Sequence, residues 1–264
     1  MSKVEAKFAA NKAEGKETLI GYFPLGFPTL GESIEAAVAM AEGGVDILEL
    51  GIPYSDPVMD GPVIQEATEL ALANGFKLRQ TFDAVKEVAE RTGIPVLVMT
   101  YWNPVMQFGV ENFASALKQA GGAGMITPDL IPDEAAQWLA AADEHDLDRV
   151  FLAAPTSSEE RVRNAAELSR GFVYAVSTMG ITGARDEVDS LARGVVAAVR
   201  GTNVPSNVAV GIGISTGEQA SAVNEYADGA IIGSVFVKAY QQGGLGELKR
   251  TVAEIESKMN KGRK

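Results

Sequence analysis

The chain has 264 residues, of which 46% are hydrophobic and 22% charged, with a formal net charge of -12 and no cysteine. These values describe a soluble globular protein; the missing cysteine excludes disulfides, thiolate catalysis and cysteine-based metal sites, and fits the cytoplasm. The acidic balance argues against nucleic acid or an anionic membrane as partner, because both are held through positive patches. The stretch from Met1 to Lys16 lacks the continuous apolar segment of a secretory signal, and no run approaches the roughly 20 apolar residues of a membrane helix. His145 is the only histidine and reads as a solvated residue at a polar helix end, so acid–base work falls to carboxylates, with tyrosine or lysine as outsiders.

In chain order, Ser2 with Glu5 three residues on resembles a capping box and predicts a short helix over Lys3 to Ala13, placed to close a barrel floor. Short apolar runs bounded by Gly, Pro or Asn predict strands over Leu19 to Leu25, Asp46 to Ile52, Pro95 to Tyr101, Gly124 to Pro128, Arg149 to Ala154, Gly171 to Ser177, Asn207 to Ile214 and Gly229 to Phe236. Most lack strict alternation, as parallel strands covered on both faces do. Amphipathic segments lie between them: Glu32 to Glu42, Thr81 to Arg91, Asp133 to Glu144, Ser158 to Ser169, Asp186 to Arg200 and Thr216 to Glu225, with a last helix over Gly246 to Lys258. Pro132, Ser157 with Ser158, and Thr216 read as helix starts. About eight strand–helix repeats in roughly 250 residues match a (β/α)8 TIM barrel, one domain over 1–264, with an open doubly wound sheet as the competing architecture.

A barrel assigns sides. Residues at strand C-termini and in the loops behind them form the active face, and the opposite loops serve stability. Glu49, Asp60, Tyr101, Asp129, Thr182 and the late glycines fall on the active face, whereas Asp46 falls on the other. Glu49 stands among Ile47, Leu48 and Leu50, where an unpaired carboxylate is costly, so it serves either chemistry or a buried structural pair. The Gly- and Pro-rich loop behind it brings Asp60 towards the same site, although Asp-Gly is also an ordinary turn pair.

Gly211 to Gly217 and Gly233 to Val235 each end a strand and open a helix without a Lys or Arg, so backbone N–H groups and helix N-termini are the expected donors to an anion; plain tight turns are the other reading. The stretch from Tyr174 to Arg185 is long enough to fold over a ligand, or to be a structural loop. Alternation does not decide whether Tyr174 points into the barrel or out to the helices.

The run Leu48-Glu49-Leu50-Gly51-Ile52-Pro53-Tyr54-Ser55-Asp56-Pro57, leading into Asp60-Gly61-Pro62, resembles the signature of the tryptophan synthase alpha chain family. The resemblance covers nearly the whole chain, through Phe23-Pro24-Leu25-Gly26 with Pro28, Tyr101 with Asn103, Asp129 with Pro132, Gly180-Ile181-Thr182-Gly183, Gly211 with Gly213, and Gly233-Ser234. It implies a (β/α)8 lyase that splits indole-3-glycerol phosphate into indole and glyceraldehyde 3-phosphate in tryptophan biosynthesis, without cofactor or metal. It also implies an alpha2-beta2 heterotetramer with a beta chain that carries the pyridoxal phosphate. On matching positions it implies catalysis by Glu49 and Asp60, and an indole side lined by Tyr22, Tyr101 and Tyr174. Substrate binding falls to Thr182, Gly183, Gly211, Gly213, Gly233 and Ser234, mostly as phosphate-loop positions. One departure is visible: Thr178 stands where many members of the family carry arginine after the serine of the sixth loop. The apolar set Tyr54, Val105, Met106 and Phe108, in loops Pro53 to Pro57 and Pro104 to Phe108, suits docking of a partner; packing beneath the chain's own loops is the other reading. Other phosphate-binding barrels and a non-catalytic regulatory subunit are the competing functions; a Schiff-base aldolase is disfavoured because no predicted strand carries a lysine.

Overall fold

The computed structural model describes residues 1–176, 185–211 and 213–259. Nine strand segments form one all-parallel sheet: β1 (Leu19–Pro24), β2 (Ile47–Gly51), β3 (Val96–Met99), β4 (Gly124–Ile126), β5 (Asp148–Val150), β6 (Leu152–Ala153), β7 (Val173–Val176), β8 (Val208–Gly211) and β9 (Gly229–Ile232). Their order is β5-β4-β3-β2-β1-β9-β8-β7-β6. β5 and β6 are one passage of chain parted at Phe151, whose N–H is given to the Ser169 hydroxyl at 3.2 Å instead of to a strand. β5 pairs with β4 and β6 with β7, so this passage closes the ring at eight positions. The architecture is the expected (β/α)8 TIM barrel, not the open sheet.

Side chains alternate between two cores. Leu48, Leu50, Val96, Val98, Val208 and Val210 face out to the helices. Ile20, Ile47, Leu97, Ile126, Val150, Phe172, Ala209 and Ile231 fill the barrel interior, joined by Val4 and Phe8. Those two come from the first helix, Lys3–Glu14, which starts with the expected capping box: Glu5 N–H donates to the Ser2 hydroxyl at 3.1 Å and Ser2 N–H to the Glu5 carboxylate at 2.8 Å. The helix is the floor of the barrel, as its patterning predicts. Asp46, just ahead of β2, accepts from Lys16 at 2.7 Å and from Leu19 N–H at 3.0 Å, a structural anchor on the floor side.

Three helices carry no assignment in the sequence reading: Pro62–Ala73, Trp102–Phe108 and Val110–Gln119. The predicted strand Gly229 to Phe236 also ends earlier, at Ile232, because Ser234 opens the final helix, Ser234–Met259. That helix is broken at Gly243 and Gly244, whose backbone angles are non-helical. The start expected at Pro132 is a single 3-10 turn, Pro132–Glu134, ahead of the helix Ala136–Glu144. His145 caps that helix and bonds Glu111.

Candidate active site

The inward positions of the upper strand ends define the mouth of the barrel. In register, Tyr22 of β1 lies beside Glu49 of β2, and Glu49 beside Leu97 of β3. Glu49 shares the inward face with Ile47, and its residue is 1% exposed, with one carboxylate oxygen lacking any hydrogen-bond partner. Burial, reinforced by the charge of Asp60, pushes the Glu49 carboxyl up to about 8. Among the described residues no Lys or Arg pairs with Glu49, which counts against the structural-pair reading.

Asp60 sits in the loop after β2, held there by three bonds. Met59 N–H donates to the Tyr101 hydroxyl at 3.0 Å, that hydroxyl donates to Asp60 Oδ1 at 3.3 Å, and the Gln65 amide donates to the Asp60 carbonyl at 2.9 Å. Burial raises the Asp60 carboxyl to about 6, while the bond from Tyr101 lowers it. Between those two values Glu49 keeps its proton and Asp60 has lost its own, so neighbouring carboxyls occupy opposite protonation states. Removing the Tyr101 hydroxyl takes away the lowering contribution. Tyr101→Phe is therefore expected to move the acid limb of the pH–rate profile upward from about 6, read from kcat/KM between pH 5 and 9; an unmoved limb contradicts this assignment.

Tyr174 points inward: it pairs with Leu152 and Ala209, and it packs against the interior cluster. The two tyrosines each occupy space that a glycine leaves. A Cβ on Gly51 would overlap the Tyr22 hydroxyl, and one on Gly211 would overlap that of Tyr174. Gly211 thus makes room for a tyrosine at the end of β8. Tyr22 is buried and Tyr174 partly buried, and desolvation and then the carboxylates raise both phenols well above 10. Tyr101 is raised too, by burial first and then by Asp60.

The two glycine-rich helix starts differ. At the helix Gly217–Asn224 a capping box is already satisfied: Gln219 N–H donates to the Thr216 hydroxyl at 3.3 Å, and the Gln219 side-chain Oε1 accepts from Ser215 N–H at 2.8 Å and Thr216 N–H at 3.1 Å. Those donors are spent. At the Ser234 helix the first intrahelical bonds run from Phe236 and Val237 to the Gly233 carbonyl, which leaves the Ser234 and Val235 N–H groups ahead of them. Gly213 turns with φ 87°, a left-handed conformation that suits glycine. Backbone N–H groups at Ser234 and Val235, with the turn at Gly213, thus remain as candidate donors to an anion. Thr178, Thr182 and Gly183 lie outside the described residues.

Two features of the mouth escape local sequence reading. Asp129 accepts from Trp102 N–H at 2.8 Å, capping a helix that belongs to another strand's loop, and Asn103 donates to the Tyr54 hydroxyl at 3.2 Å. Both partnerships are long-range and carry no spacing signal. Of the two readings of the apolar set, packing holds for most of it: Val105 is fully buried, half-buried Phe108 packs on Phe82 and Phe113, and half-buried Tyr54 lies against Tyr101 with ring centres 5.3 Å apart. Pro104 to Phe108 is helical, so it turns Val105 inward and leaves Met106 and Gln107 exposed. Among the described residues, Met106, Val58 and Ile131 are large apolar side chains exposed at this end. An open groove of about 660 Å³ lies at the floor, lined by Lys12, Lys16, Arg200 and Asn207 among others, away from Glu49 and Asp60. Among the described residues no group of three His, Cys, Asp or Glu side chains could hold a metal ion, and no helix is long and apolar enough to cross a membrane.

A parallel (β/α)8 barrel whose mouth sets two carboxyls, both raised by burial, among three tyrosines has the parts of an enzyme of general acid–base chemistry. A family model described as tryptophan synthase alpha chain matches residues 8–263. Tryptophan synthase alpha chains of Leifsonia xyli and Mycobacterium marinum are 59% and 52% identical to this chain, over 97% and 96% of it and 97% and 93% of their own lengths. The tryptophan synthase structure from Mycobacterium tuberculosis superposes with a TM-score of 0.92 at 47% identity, covering 99% of both chains. A tryptophan synthase complex from Pyrococcus furiosus superposes with a TM-score of 0.81 at 35% identity, covering 91% of this chain and 98% of that one. The chain belongs to the tryptophan synthase alpha chain family. It is a carbon–carbon lyase that cleaves indole-3-glycerol phosphate to indole and glyceraldehyde 3-phosphate in tryptophan biosynthesis. The alpha-chain relatives are named without a cofactor.

Proposed function

We propose that Glu49 carries both proton transfers of this retro-aldol cleavage and that Asp60 supplies the charge that makes the ring reactive. Indole is a poor leaving group until its C3 is protonated. The neutral Glu49 carboxyl gives its proton to C3, forming an indoleninium, and the Asp60 carboxylate accepts a hydrogen bond from the ring N–H and stabilises the positive charge. The Glu49 carboxylate then takes the proton of the C1′ hydroxyl. The C1′–C3 bond breaks, its electron pair returns to the ring, C1′ becomes the aldehyde carbon of glyceraldehyde 3-phosphate, and Glu49 is neutral again. The observation that carries the reading is the opposed pair, Glu49 near 8 and Asp60 near 6.

Tyr101, Tyr22 and Tyr174 bind the organic part of the substrate, and Gly211, whose missing side chain makes room for Tyr174, shapes the same pocket. Gly183, Gly213, Gly233 and Ser234 hold the phosphate, with Thr182 closing over it. Backbone donors suit a chain of net charge -12, since the overall field disfavours the substrate's phosphate. No cofactor or metal enters these steps. Residues 1–264 act as one barrel domain in the cytoplasm. The partner is a tryptophan synthase beta chain in an alpha2-beta2 complex, with pyridoxal phosphate confined to the beta chain. Support comes from the structural likeness to the tryptophan synthase complex of Pyrococcus furiosus and from Val58, Met106 and Ile131 exposed at the mouth.

The deciding experiment supplies the purified chain with indole-3-glycerol phosphate and measures free indole by chromatography. Indole with an equal amount of glyceraldehyde 3-phosphate is expected. A chain that releases neither, alone and with a beta chain added, refutes the reading.

A further inference from the structure

Tyr22 is expected from the family resemblance to line the indole side, but its surroundings indicate a different role. Its side chain runs between two glycines. At its base, a Cβ on Gly233 would come within 3.1 Å of Tyr22 Cβ and Cδ1; at its tip, the hydroxyl fills the place of a side chain on Gly51. Gly233 belongs to the anion end of the site, and Gly51 lies one inward step above Glu49 on β2. Tyr22 therefore bridges the distance between the phosphate donors and the acid, and it is itself buried. A substrate with its phosphate at Gly233–Ser234 and its reacting carbon at Glu49 must lay its three-carbon chain along this residue. That chain carries hydroxyls on C1′ and C2′. The first is committed to Glu49; the second needs a partner in a site that excludes water.

We propose that the Tyr22 hydroxyl binds the C2′ hydroxyl of the substrate and makes Tyr22 a specificity-determining residue for a hydroxylated chain. This rests on the assignment of phosphate and acid ends given above. The phenol keeps its proton, because burial and then the charges of Asp60 and Glu49 oppose its ionisation, so it both donates and accepts. A site built to pair a substrate hydroxyl discriminates against a ligand lacking one, whereas a ring wall does not.

The test compares Tyr22→Phe with the unsubstituted protein on three ligands: indole-3-glycerol phosphate, its 2′-deoxy counterpart, and 3-(indol-3-yl)propyl phosphate, which lacks both hydroxyls. Loss of one neutral hydrogen bond predicts a roughly three- to tenfold fall in kcat/KM for the full substrate. The dissociation constant of the propyl phosphate is expected to stay within about twofold, as loss of a contact it never makes requires. The 2′-deoxy substrate is expected to lose the same factor on the unsubstituted protein and nothing further on the variant. Equal weakening of all three ligands, or no change in any, overturns the proposal. If Tyr22→Phe does not fold, the 2′-deoxy substrate on the unsubstituted protein decides alone: equal turnover with the full substrate overturns the proposal. An unsubstituted protein that releases no indole removes the underlying site assignment as well, whereas normal release with an insensitive variant removes only this inference.

Discussion

Glu49→Gln is expected to lower kcat by 10² to 10⁴, the usual worth of a positioned general acid–base group, or about 3–5 kcal/mol of barrier. Gln keeps the shape of the side chain and has no proton to give to C3. The proposed phosphate donors are backbone groups in the turns behind β8 and β9 and at the start of the final helix, away from the Glu49 side chain, so the propyl phosphate is expected to bind the variant within about threefold of the parent. Turnover near the parent's rate would falsify the assignment of Glu49.

The same substitution is expected to stabilise the fold, and the sign follows from linkage. The carboxyl is raised from 4.5 to about 8 in the folded chain, so folding favours its protonated form. Stability is full below about 4.5 and falls as pH rises towards 8, because the unfolded chain ionises freely over that window. Glu49 is almost fully buried, so little solvent screening applies, and the cost above pH 8 is on the order of 3–5 kcal/mol. At about 2–4 °C per kcal/mol for a chain of this size, Glu49→Gln is expected to melt at least roughly 5 °C higher than the parent at pH 8.5. The difference is expected to shrink towards pH 5. Calorimetry at both pH values checks it, and a melting point below the parent's at pH 8.5 contradicts it.

Asp60→Asn is the second large effect. An amide still fills the position but carries no negative charge to set against the indoleninium, and loss of one preorganised electrostatic partner costs roughly 10² to 10³ in kcat. The substitution also removes the Asp60 charge that helps raise Glu49. The residual activity is therefore expected to lose its acid limb near 6 and to show its alkaline limb below 8, since Glu49 ionises more easily beside a neutral neighbour. These limbs belong to the pair of groups together. A full pH–rate profile of the variant checks both; an alkaline limb left in place means that the two carboxyls do not communicate.

Much of this was legible in the order of residues because the strong signals are local. Eight apolar runs bounded by breakers marked the barrel, and one carboxylate within such a run marked its mouth. What escaped was decided by partners far along the chain or by caps without a side-chain signature. Pro62–Ala73 starts after Gly61, which offers no capping side chain, although Ile64, Ala67, Thr68 and Ala71 follow a helical period. Trp102–Phe108 is capped from Asp129, and Val110–Gln119 starts at Gly109, the residue that also ends the helix before it. Val105 and Phe108 read as surface in a loop and are covered once that segment coils. The face taken by Tyr174 needed its strand pairing. The capping box at the Gly217 helix, in which the Gln219 side-chain oxygen accepts from Ser215 and Thr216 N–H, could not be told from an anion loop by its glycines.

The floor helix has a consequence for the flow of hydrogen through the enzyme. Val4 and Phe8 close the interior from below with hydrocarbon, on the side away from Glu49. In the proposed mechanism the hydrogen lost to carbon is replaced from the alcohol within the same turnover, so the enzyme would leave each cycle recharged without drawing on the medium.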